Sequence, residues 1–263
     1  MINSSSKWRR ENEMRPDIYQ TMARVEDVHW WFRGRRTIIE SVLKNLALPE
    51  NVAILDAGSG TGGNLAMLSR FGSVYAMELD AEARTLANQR GIVAVEEGEL
   101  PARIPFGNRL FDLVVLFDVL EHIEQDYSSL RAINARLAPG GNLLLTVPAF
   151  EVIWSMHDTM HHHKRRYGLS PLIRQLERSG YKVTFASYIN FWLFPIIAIV
   201  RVSDRLCGGR LIGNKPDHNT ELSIPPSPIN KLLEKIFASE SWVIRRLRLP
   251  IGASIILVAQ NAR

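Results

Sequence analysis

Short apolar runs recur along the chain and predict the strands of a buried sheet. The run Phe111–Phe117 is apolar on both faces, which is typical of a central strand in a parallel sheet. Six other runs have the length and composition of strands: Val52–Leu55, Ser73–Met77, Val93–Val95, Asn142–Val147, Tyr181–Ser187 and Ser254–Ala259. Stretches with the spacing of amphipathic helices separate most of these runs, so the chain is predicted to be an α/β protein with a doubly wound sheet.

The N-terminal part of the pattern predicts a lid ahead of the sheet. Residues 1–16 are polar and are expected to be disordered, whereas two helices are predicted within Asp17–Leu46. The segment His29–Arg36 between these helices combines three consecutive aromatic residues with three arginines. It is interpreted either as a hydrophobic plug with a basic rim or as a lid that brings Trp31 and Arg33 over a ligand.

A second addition, residues 191–250, separates the last two predicted strands. Its first part, Phe191–Leu206, is strongly apolar, and a flexible loop is predicted at Gly208–Pro228. The apolar part is interpreted either as an internal helix that covers a ligand site or as an interfacial helix with arginines near lipid headgroups. The predicted organisation is therefore a helical lid at 1–46 and one domain at 47–263, with 191–250 as an insertion on the substrate side.

Composition narrows the class of partner. The 263 residues carry a formal net charge of +5, which suits an acidic or phosphorylated partner, but basic totals are common and nucleic acid is not favoured. The one cysteine, Cys207, excludes an internal disulfide, and the longest apolar run falls short of the ~20 residues of a spanning helix. A cytoplasmic protein is expected, with peripheral membrane contact through 191–206 left open.

A glycine-rich turn after the first strand is the leading candidate for a ligand site. Gly58, Gly60 and Gly63 satisfy the Gly-x-Gly-x-x-Gly pattern of a nicotinamide dinucleotide site, and the N–H groups at the following helix start are expected to bind the ligand. Asp56 stands directly before these glycines, where a carboxylate repels a pyrophosphate and attracts a cationic amino-acid group. Glu78 ends the next strand, where a carboxylate commonly accepts hydrogen bonds from both ribose hydroxyls. The two acids favour an adenosyl amino acid over NAD.

Several motifs follow one another between about residues 50 and 150. They are the acidic glycine-rich turn, Glu78, Glu99 after the third strand, Phe111–Val115, Val119–His122 and Pro139–Gly141. As a set they resemble class I S-adenosylmethionine-dependent methyltransferases. The resemblance implies a Rossmann-like, doubly wound, seven-stranded sheet of order 3-2-1-4-5-7-6 whose last strand is antiparallel, and it implies S-adenosyl-L-methionine as the cofactor.

The resemblance also implies a set of cofactor-binding residues. From the methionine end through the ribose to the adenine, they are Asp118, Asp56, Gly58, Ser59, Gly60, Glu78, Leu79, Glu99 and Leu100. Glu78 stands where an aspartate is commonest in the family, and it keeps the carboxylate. On the lid interpretation, Trp31 and Arg33 lie over the same ligand.

Histidines and arginines beyond the fifth strand are the candidates for the acceptor side. The candidate catalytic residues are His157, Asp158, His163, Arg165, Arg166 and Tyr167. One of the histidines, oriented by Asp158, is the expected base for a hydroxyl acceptor, because histidine titrates near neutral pH. The arginines are expected to clamp a phosphate or carboxylate. A polar surface turn is the alternative interpretation, and no metal site is predicted because no clean ligand spacing stands out.

The motifs at both ends of the core extend the resemblance to a bacterial branch that is often associated with polysaccharide or lipid-linked glycan pathways. The favoured function is methyl transfer, chiefly to oxygen, on a small-molecule, glycan or lipid-linked acceptor. A nicotinamide-dependent oxidoreductase and a methyltransferase-like binding protein without activity are the alternatives. His122, after the fourth strand, is expected to pack beneath the edge of the sheet.

Overall fold

The computed structural model describes residues 16–206 and 223–262. The predicted disordered lead before Pro16, together with Cys207 and most of the predicted loop at 208–228, lies outside the described residues. Within the two described ranges, no helix is both long and apolar enough to cross a bilayer.

A seven-stranded mixed sheet forms the centre of the described structure, with the order β3-β2-β1-β4-β5-β7-β6. Its strands are β1 (Ala53–Ala57), β2 (Ser73–Glu78), β3 (Val95–Glu97), β4 (Phe111–Phe117), β5 (Leu137–Pro148), β6 (Tyr181–Ile189) and β7 (Ser254–Asn261). Neighbouring strands are parallel from β3 through β5, and β7 runs antiparallel to both β5 and β6. The topology implied by the resemblance is confirmed.

Helices cover both faces of this sheet, which explains why β4 is buried almost throughout. They are α1 (Pro16–Val25), α2 (Trp30–Leu43), α3 (Leu65–Leu68), α4 (Ala81–Gln89), α5 (Asp126–Arg136), α6 (Met156–Met160), α7 (Leu169–Arg178), α8 (Phe194–Leu206) and α9 (Ser227–Ile244). Two 3₁₀ turns, Leu120–His122 and Glu151–Ile153, follow β4 and β5. Both turns lie at the carboxyl edge of the parallel strands, where α/β proteins bind ligands.

Helix α2 begins earlier than the sequence predicts. His29 is its N-cap, with an extended backbone and an Nδ1 that accepts a hydrogen bond from the Trp31 N–H at 3.2 Å. The aromatic segment therefore forms the first turn of the helix and is not a separate plug between two helices. As a consequence, Trp31 and Arg35 share one face of α2, because residues four apart lie above one another.

The predicted lid and the predicted insertion pack against each other through α2 and α9. The amide of Asn230 receives a hydrogen bond from the Trp30 N–H at 2.9 Å and donates one to the Val28 carbonyl at 2.8 Å. Farther along α2, the ring of Phe237 lies against Gly34 so closely that a Cβ there would come within 2.8 Å of it. The two segments thus form one layer over the sheet, although some 200 residues separate them in the chain.

A buried glutamate fastens α1 and α2 to the glycine-rich turn. The Glu26 side chain accepts a hydrogen bond from the Thr61 hydroxyl at 2.6 Å and pairs closely with Arg90. Its backbone carbonyl accepts a hydrogen bond from Arg36 at 2.6 Å. Gly63 is required beside it, because a Cβ at that position would overlap the Glu26 carboxylate. The N-terminal helices are therefore attached directly to the candidate ligand site.

Several predicted boundaries shift by a few residues. Strand β3 spans Val95–Glu97, whereas the sequence predicts Val93–Val95. The Pro139–Gly141 turn lies inside β5, where the pairing with β4 slips between Phe111 and Leu113. These shifts leave the order of the elements unchanged.

Candidate active site

One cavity of about 1430 Å³ opens at the carboxyl edge of the parallel strands. It exceeds the roughly 300–1,000 Å³ of sites for single drug-sized ligands, so it has room for two reactants. The lid, the glycine-rich turn, the segments after β2 and β4, and α8 surround it. The sequence-predicted residues that line it are Trp31, Gly58, Ser59, Gly60, Glu78, Leu79, Glu99, Leu100, Asp118, His163 and Arg166.

The first N–H groups of the glycine-rich turn are used in hydrogen bonds within the protein. The N–H groups of Gly58 and Ser59 both donate to the Met77 carbonyl, at 2.9 and 3.0 Å. The Gly60 N–H donates to the Glu78 carboxylate at 2.8 Å. A Cβ on Gly60 would meet nothing within 4 Å, so the cavity lies open above it. These three donors are therefore engaged within the protein, and α3, which follows the turn, spans only Leu65–Leu68.

Asp56 lies beneath the turn as a buried acid without a partner. Both carboxylate oxygens are buried and have no hydrogen-bond partner among the described residues. Burial raises the pKa of Asp56 to about 7, and the nearby charge of Glu78 adds to the effect, while Arg35 opposes it. A cation bound at the turn would supply the charge that an ionised Asp56 lacks. A pyrophosphate would instead meet two acids.

Glu78 shapes the next part of the cavity. Its second carboxylate oxygen accepts a hydrogen bond from the Asp80 N–H at 2.9 Å, so the side chain bridges the turn and the start of α4. Burial raises the pKa of Glu78 despite these two backbone donors. Leu79 beside it is 52% exposed and forms an apolar wall of the cavity. An acid next to an exposed leucine suits a ribose with its attached base.

Arg35 is a cavity residue that sequence reasoning missed. Its Nη2 lies 2.9 Å from the Asp118 carboxylate and donates to the Thr146 hydroxyl at 2.7 Å. The guanidinium also lies over the ring of Trp31, 5.0 Å from its centroid. Asp118 adopts a left-handed backbone conformation with φ 55°, which is uncommon for residues other than glycine and is found at many functional sites. The signal that could have identified Arg35 is its helical spacing of four residues from Trp31.

Asp158 organises the opposite end of the cavity. Its carboxylate is fully buried, lies 2.8 Å from His163 Nδ1, and binds the Arg166 guanidinium through two hydrogen bonds of 2.8 and 3.0 Å. Burial alone would raise the pKa of Asp158, but the bonds from His163 and Arg166 outweigh it and hold the pKa below its ordinary value. Asp158 is therefore an anion that orients His163, as the sequence predicts.

Besides the buried acids Asp56 and Asp158, three predicted residues do not line the cavity. Arg33 points away and pairs with Glu234 at 2.9 Å, and Arg165 pairs with Asp126 at 2.8 Å. The buried Tyr167 hydroxyl donates to the Leu120 carbonyl at 3.2 Å, and burial raises its pKa above the ordinary value for tyrosine. Tyr167 thus holds the 3₁₀ turn after β4 in place as a neutral phenol. The side chain of His157 lies outside what the structure describes.

The 3₁₀ turn after β4 brings Glu121 and His122 beside His163. One ligand atom from each of these three residues lies within 4.8 Å of the others, an arrangement that could hold a metal ion. The rings of His122 and His163 meet edge to face, with centroids 4.7 Å apart. Burial and the neighbouring Asp118 raise the pKa of Glu121 well above its ordinary value. The sequence pattern predicted no metal site, and His163 lies 41 positions after His122 in the chain.

Helix α8 closes the remaining side of the cavity. Ile196, Ile197, Val200 and Arg201 line it, and Arg201 lies 4.0 Å from the Asp158 carboxylate. Ile199 is 66% exposed and does not line the cavity, and Val202 is also exposed. The helix therefore has one face over the cavity and another apolar face in solvent. The interpretation as a helix that covers a ligand site describes the first face, and the interpretation as an interfacial helix describes the second.

The fold and the acidic glycine-rich site together define a class I methyltransferase architecture. In line with this, residues 30–185 match the family model described as a methyltransferase domain. The match covers more than half of the chain, so the protein belongs to this family.

Known proteins similar to this chain have names consistent with that assignment. A Mycolicibacterium smegmatis protein named "Probable S-adenosylmethionine-dependent methyltransferase" is 25% identical over 169 residues, which cover 62% of this chain and 64% of that protein. The chain thus matches less than two thirds of that relative's length.

Solved structures share the fold. A SAM-dependent methyltransferase from Aquifex aeolicus has a TM-score of 0.52 at 21% identity, covering 67% of this chain and 93% of its own. Phosphoethanolamine N-methyltransferase 2 of Haemonchus contortus, in complex with S-adenosyl-L-methionine, has a TM-score of 0.54 at 17% identity, covering 86% and 52%.

The predicted cofactor, S-adenosyl-L-methionine, is confirmed for this domain by the family match and the related sequence. The residues present also fit it. Asp56 is an unpartnered buried acid, Gly60 leaves open space, and Glu78 with Leu79 lies one strand away. This order of groups matches S-adenosyl-L-methionine, which has a cationic amino-acid end and an uncharged nucleoside end.

Proposed function

We propose that this protein is an S-adenosylmethionine-dependent methyltransferase that transfers a methyl group to an oxygen of a small-molecule, glycan or lipid-linked acceptor. One observation carries the proposal. A single cavity joins the acidic glycine-rich turn to the Asp158–His163 pair, and it is large enough for cofactor and acceptor together. A cofactor pocket alone would support only binding.

The proposed cofactor contacts follow the groups along the cavity. Asp56 would balance the positive charge of the amino-acid end. Arg35, held by Asp118, would pair with its carboxylate. Glu78 would accept hydrogen bonds from the ribose, and Leu79 would pack against the base. When bound, the cofactor supplies a methyl group on a positively charged sulfur.

His163 is the proposed base of the metal-free site. Asp158 accepts the hydrogen bond from Nδ1, which leaves Nε2 as the nitrogen that can take a proton. His163 takes the proton that the acceptor hydroxyl loses as its oxygen bonds the methyl carbon. A positioned base typically contributes about 10²–10⁴-fold to the rate. The lid and α8 keep water from the site by covering it.

The acceptor is proposed to carry an anionic group. Lys164 and Arg201 both line the cavity near His163, whereas the predicted clamp residue Arg165 does not. A phosphate or carboxylate would match these two cations. Arg166 is committed to Asp158, so its role is to fix the base rather than to bind the acceptor.

A lipid-linked acceptor is favoured within this class by the outer face of α8. The same helix lines the cavity and exposes Ile199 and Val202. An apolar surface next to the entrance would let the protein meet a substrate that stays anchored in a bilayer. Peripheral membrane contact through 191–206 is therefore part of the proposal.

Calorimetry tests the cofactor part of the proposal. The full-length protein is titrated with S-adenosylhomocysteine and, separately, with NAD⁺. We expect binding of the first and none of the second. Binding of NAD⁺ alone would overturn the proposal in favour of the oxidoreductase alternative.

Mass spectrometry tests the activity. Extracts are incubated with the protein and with cofactor carrying an isotope-labelled methyl group, and the labelled product is identified. We expect one class of acceptor to gain the label, and we expect His163→Gln to abolish transfer while His161→Gln retains it. If no species gains label above the protein-free control, the proposal is rejected in favour of the binding protein without activity.

A further inference from the structure

We infer that Glu121, His122 and His163 form a binding site for a divalent transition-metal ion at the acceptor end of the cavity. All three residues line the cavity, and their ligand atoms lie within 4.8 Å of one another. Ligands at ~2.0–2.2 Å from one ion are ~3–4 Å apart, so small side-chain rotations suffice to close the site. The inference rests on the proposed function for the role of the ion, and on the site alone for its binding.

Glu121 is the strongest sign that a cation belongs here. Its side chain is 0% exposed, and neither carboxylate oxygen has a hydrogen-bond partner among the described residues. The nearest guanidinium groups are engaged elsewhere, because Arg35 binds Asp118 and Arg166 binds Asp158 through two bonds. A buried carboxylate without a partner is costly, and coordination to a metal ion removes that cost.

The histidines are presented as ligands normally are. Asp158 holds Nδ1 of His163 at 2.8 Å, which directs Nε2 away from the carboxylate. Metal-binding histidines almost always contact a carboxylate or carbonyl in this way through the other ring nitrogen. Arg166 fixes Asp158 in turn with its two hydrogen bonds. The arrangement orients His163 before any ion arrives.

Two hydrogen bonds join the segments that supply the ligands. The Lys164 N–H donates to the Glu121 carbonyl at 2.7 Å, which places His163 beside the 3₁₀ turn. The Tyr167 hydroxyl binds the Leu120 carbonyl from the same segment. The backbone therefore keeps residues 121, 122 and 163 together even though Glu121 and His163 are 42 positions apart in the chain.

Two imidazoles and one carboxylate indicate the class of ion. Imidazole ligands suit zinc, iron and related transition metals, and carboxylate also suits manganese, whereas Mg²⁺ and Ca²⁺ prefer oxygen ligands throughout. With three protein ligands, the ion keeps at least one position for a further oxygen. In the proposed reaction that oxygen is the acceptor hydroxyl, whose pKa falls on coordination. Nε2 of His163 would then serve as a ligand instead of a base, and the coordinated hydroxyl would release its proton to solvent water before its oxygen bonds the methyl carbon.

Metal titration tests the inference without an acceptor. Full-length protein freed of metal with a chelator is titrated with Mn²⁺, followed by electron paramagnetic resonance of the unbound ion, and with Zn²⁺ by calorimetry. We expect one ion per chain, and we expect Glu121→Gln and His122→Gln each to weaken binding at least about tenfold. His161→Gln is the matched control, because His161 belongs to the same histidine run and not to the cluster; it should bind as the wild type does.

Three outcomes would overturn the inference. They are no saturable binding of either ion, equal binding by the Glu121→Gln variant, and tighter binding of Mg²⁺ than of both probes. Retained S-adenosylhomocysteine binding by each variant shows that it is folded. Failure of the inference is distinct from failure of the proposed function. If the protein binds the ion but not S-adenosylhomocysteine, the proposed function is rejected. If it binds S-adenosylhomocysteine but not the ion, the metal site is rejected.

Discussion

Asp56 places a titratable group at the centre of the cofactor end. It is buried without a partner, and its pKa lies at about 7 because burial and Glu78 disfavour its charge. A cationic ligand favours the ionised form, so binding must lower this pKa. Affinity for the ligand therefore rises as pH increases towards 7 and levels off above it, because Asp56 no longer has to release a proton.

We predict that the affinity for S-adenosylhomocysteine increases about three- to tenfold between pH 5.5 and 7.5. The α-amino group of the ligand stays largely protonated in this range, since such groups titrate near ~7.7–8.0. Calorimetry at intervals of half a pH unit measures the effect. Asp56→Asn is the matched variant and should bind with a flatter profile; an equally steep profile in that variant would contradict the assignment.

Two arginines on α2 offer a direct comparison at the residue scale. Arg35 lies in the cavity and binds Asp118 and Thr146, whereas Arg33 lies at the surface with Glu234. We predict that Arg35→Lys weakens S-adenosylhomocysteine binding at least about tenfold, because a lysine does not reproduce the planar guanidinium contacts. Arg33→Lys is the control and should bind within about twofold of the wild type by calorimetry. Similar losses in both variants would remove Arg35 from the site.

At the scale of elements, the contact between α2 and α9 joins the lid to the insertion. Gly34 is required in the middle of α2 because the Phe237 ring occupies the space of a Cβ. Alanine normally favours a helix over glycine by ~1 kcal/mol. At Gly34 the overlap between an added Cβ and the Phe237 ring outweighs this preference, so alanine is expected to destabilise the protein.

We predict that Gly34→Ala lowers the free energy of unfolding by about 1–3 kcal/mol, the usual cost of an overpacked core. Chemical denaturation measures the change. Thr37→Ala, on the exposed face of the same helix, is the control and should not destabilise. Adding Phe237→Leu to Gly34→Ala should recover part of the loss; no recovery would place the strain elsewhere.

Glu240 links α9 to the end of β6. Its buried carboxylate accepts hydrogen bonds from the N–H groups of Asn190 and Trp192, at 2.7 and 3.1 Å. Burial nevertheless raises its pKa to about 7. The folded protein thus binds more protons than the unfolded chain between about pH 4.5 and 7, and the contribution of Glu240 to stability falls across that window as pH rises.

We predict that the stability difference between wild type and Glu240→Gln decreases by up to about 3 kcal/mol from pH 4.5 to 7 and is constant above it. Urea denaturation of both proteins at matched pH values measures the difference, in which the titration of other groups cancels. A difference that rises with pH would show that Glu240 is stabilised as an anion instead.

For the whole molecule, the position of α8 connects the active site to a surface. We predict that the protein floats with vesicles that contain anionic phospholipid, and that the double variant Ile199→Glu/Val202→Glu loses most of this binding. Leu110→Glu is the control, because Leu110 is exposed at the start of β4, on the opposite edge of the sheet from the cavity. Calorimetry should show unchanged S-adenosylhomocysteine binding in all variants. Equal flotation of the double variant and wild type would exclude this face as a membrane contact.

The sequence by itself determined the α/β sheet fold, and its resemblance to class I methyltransferases implied the strand order and the cofactor. These features depend on local signals, namely strand and helix periodicity, glycines at tight turns, and the acids Asp56 and Glu78. Local backbone preferences and the burial of apolar residues are enough to turn such signals into the observed elements.

The tertiary structure alone decided which side chains meet. It brings Arg35 rather than Arg33 to the cavity, joins the lid to the insertion through Phe237, and places Glu121 beside His163. These contacts join residues far apart in the chain, and their geometry depends on how helices and turns pack on the sheet. The hydrophobic periodicity of a single segment does not indicate how that segment packs. The residues at the acceptor end of the cavity could therefore be assigned only from the folded structure.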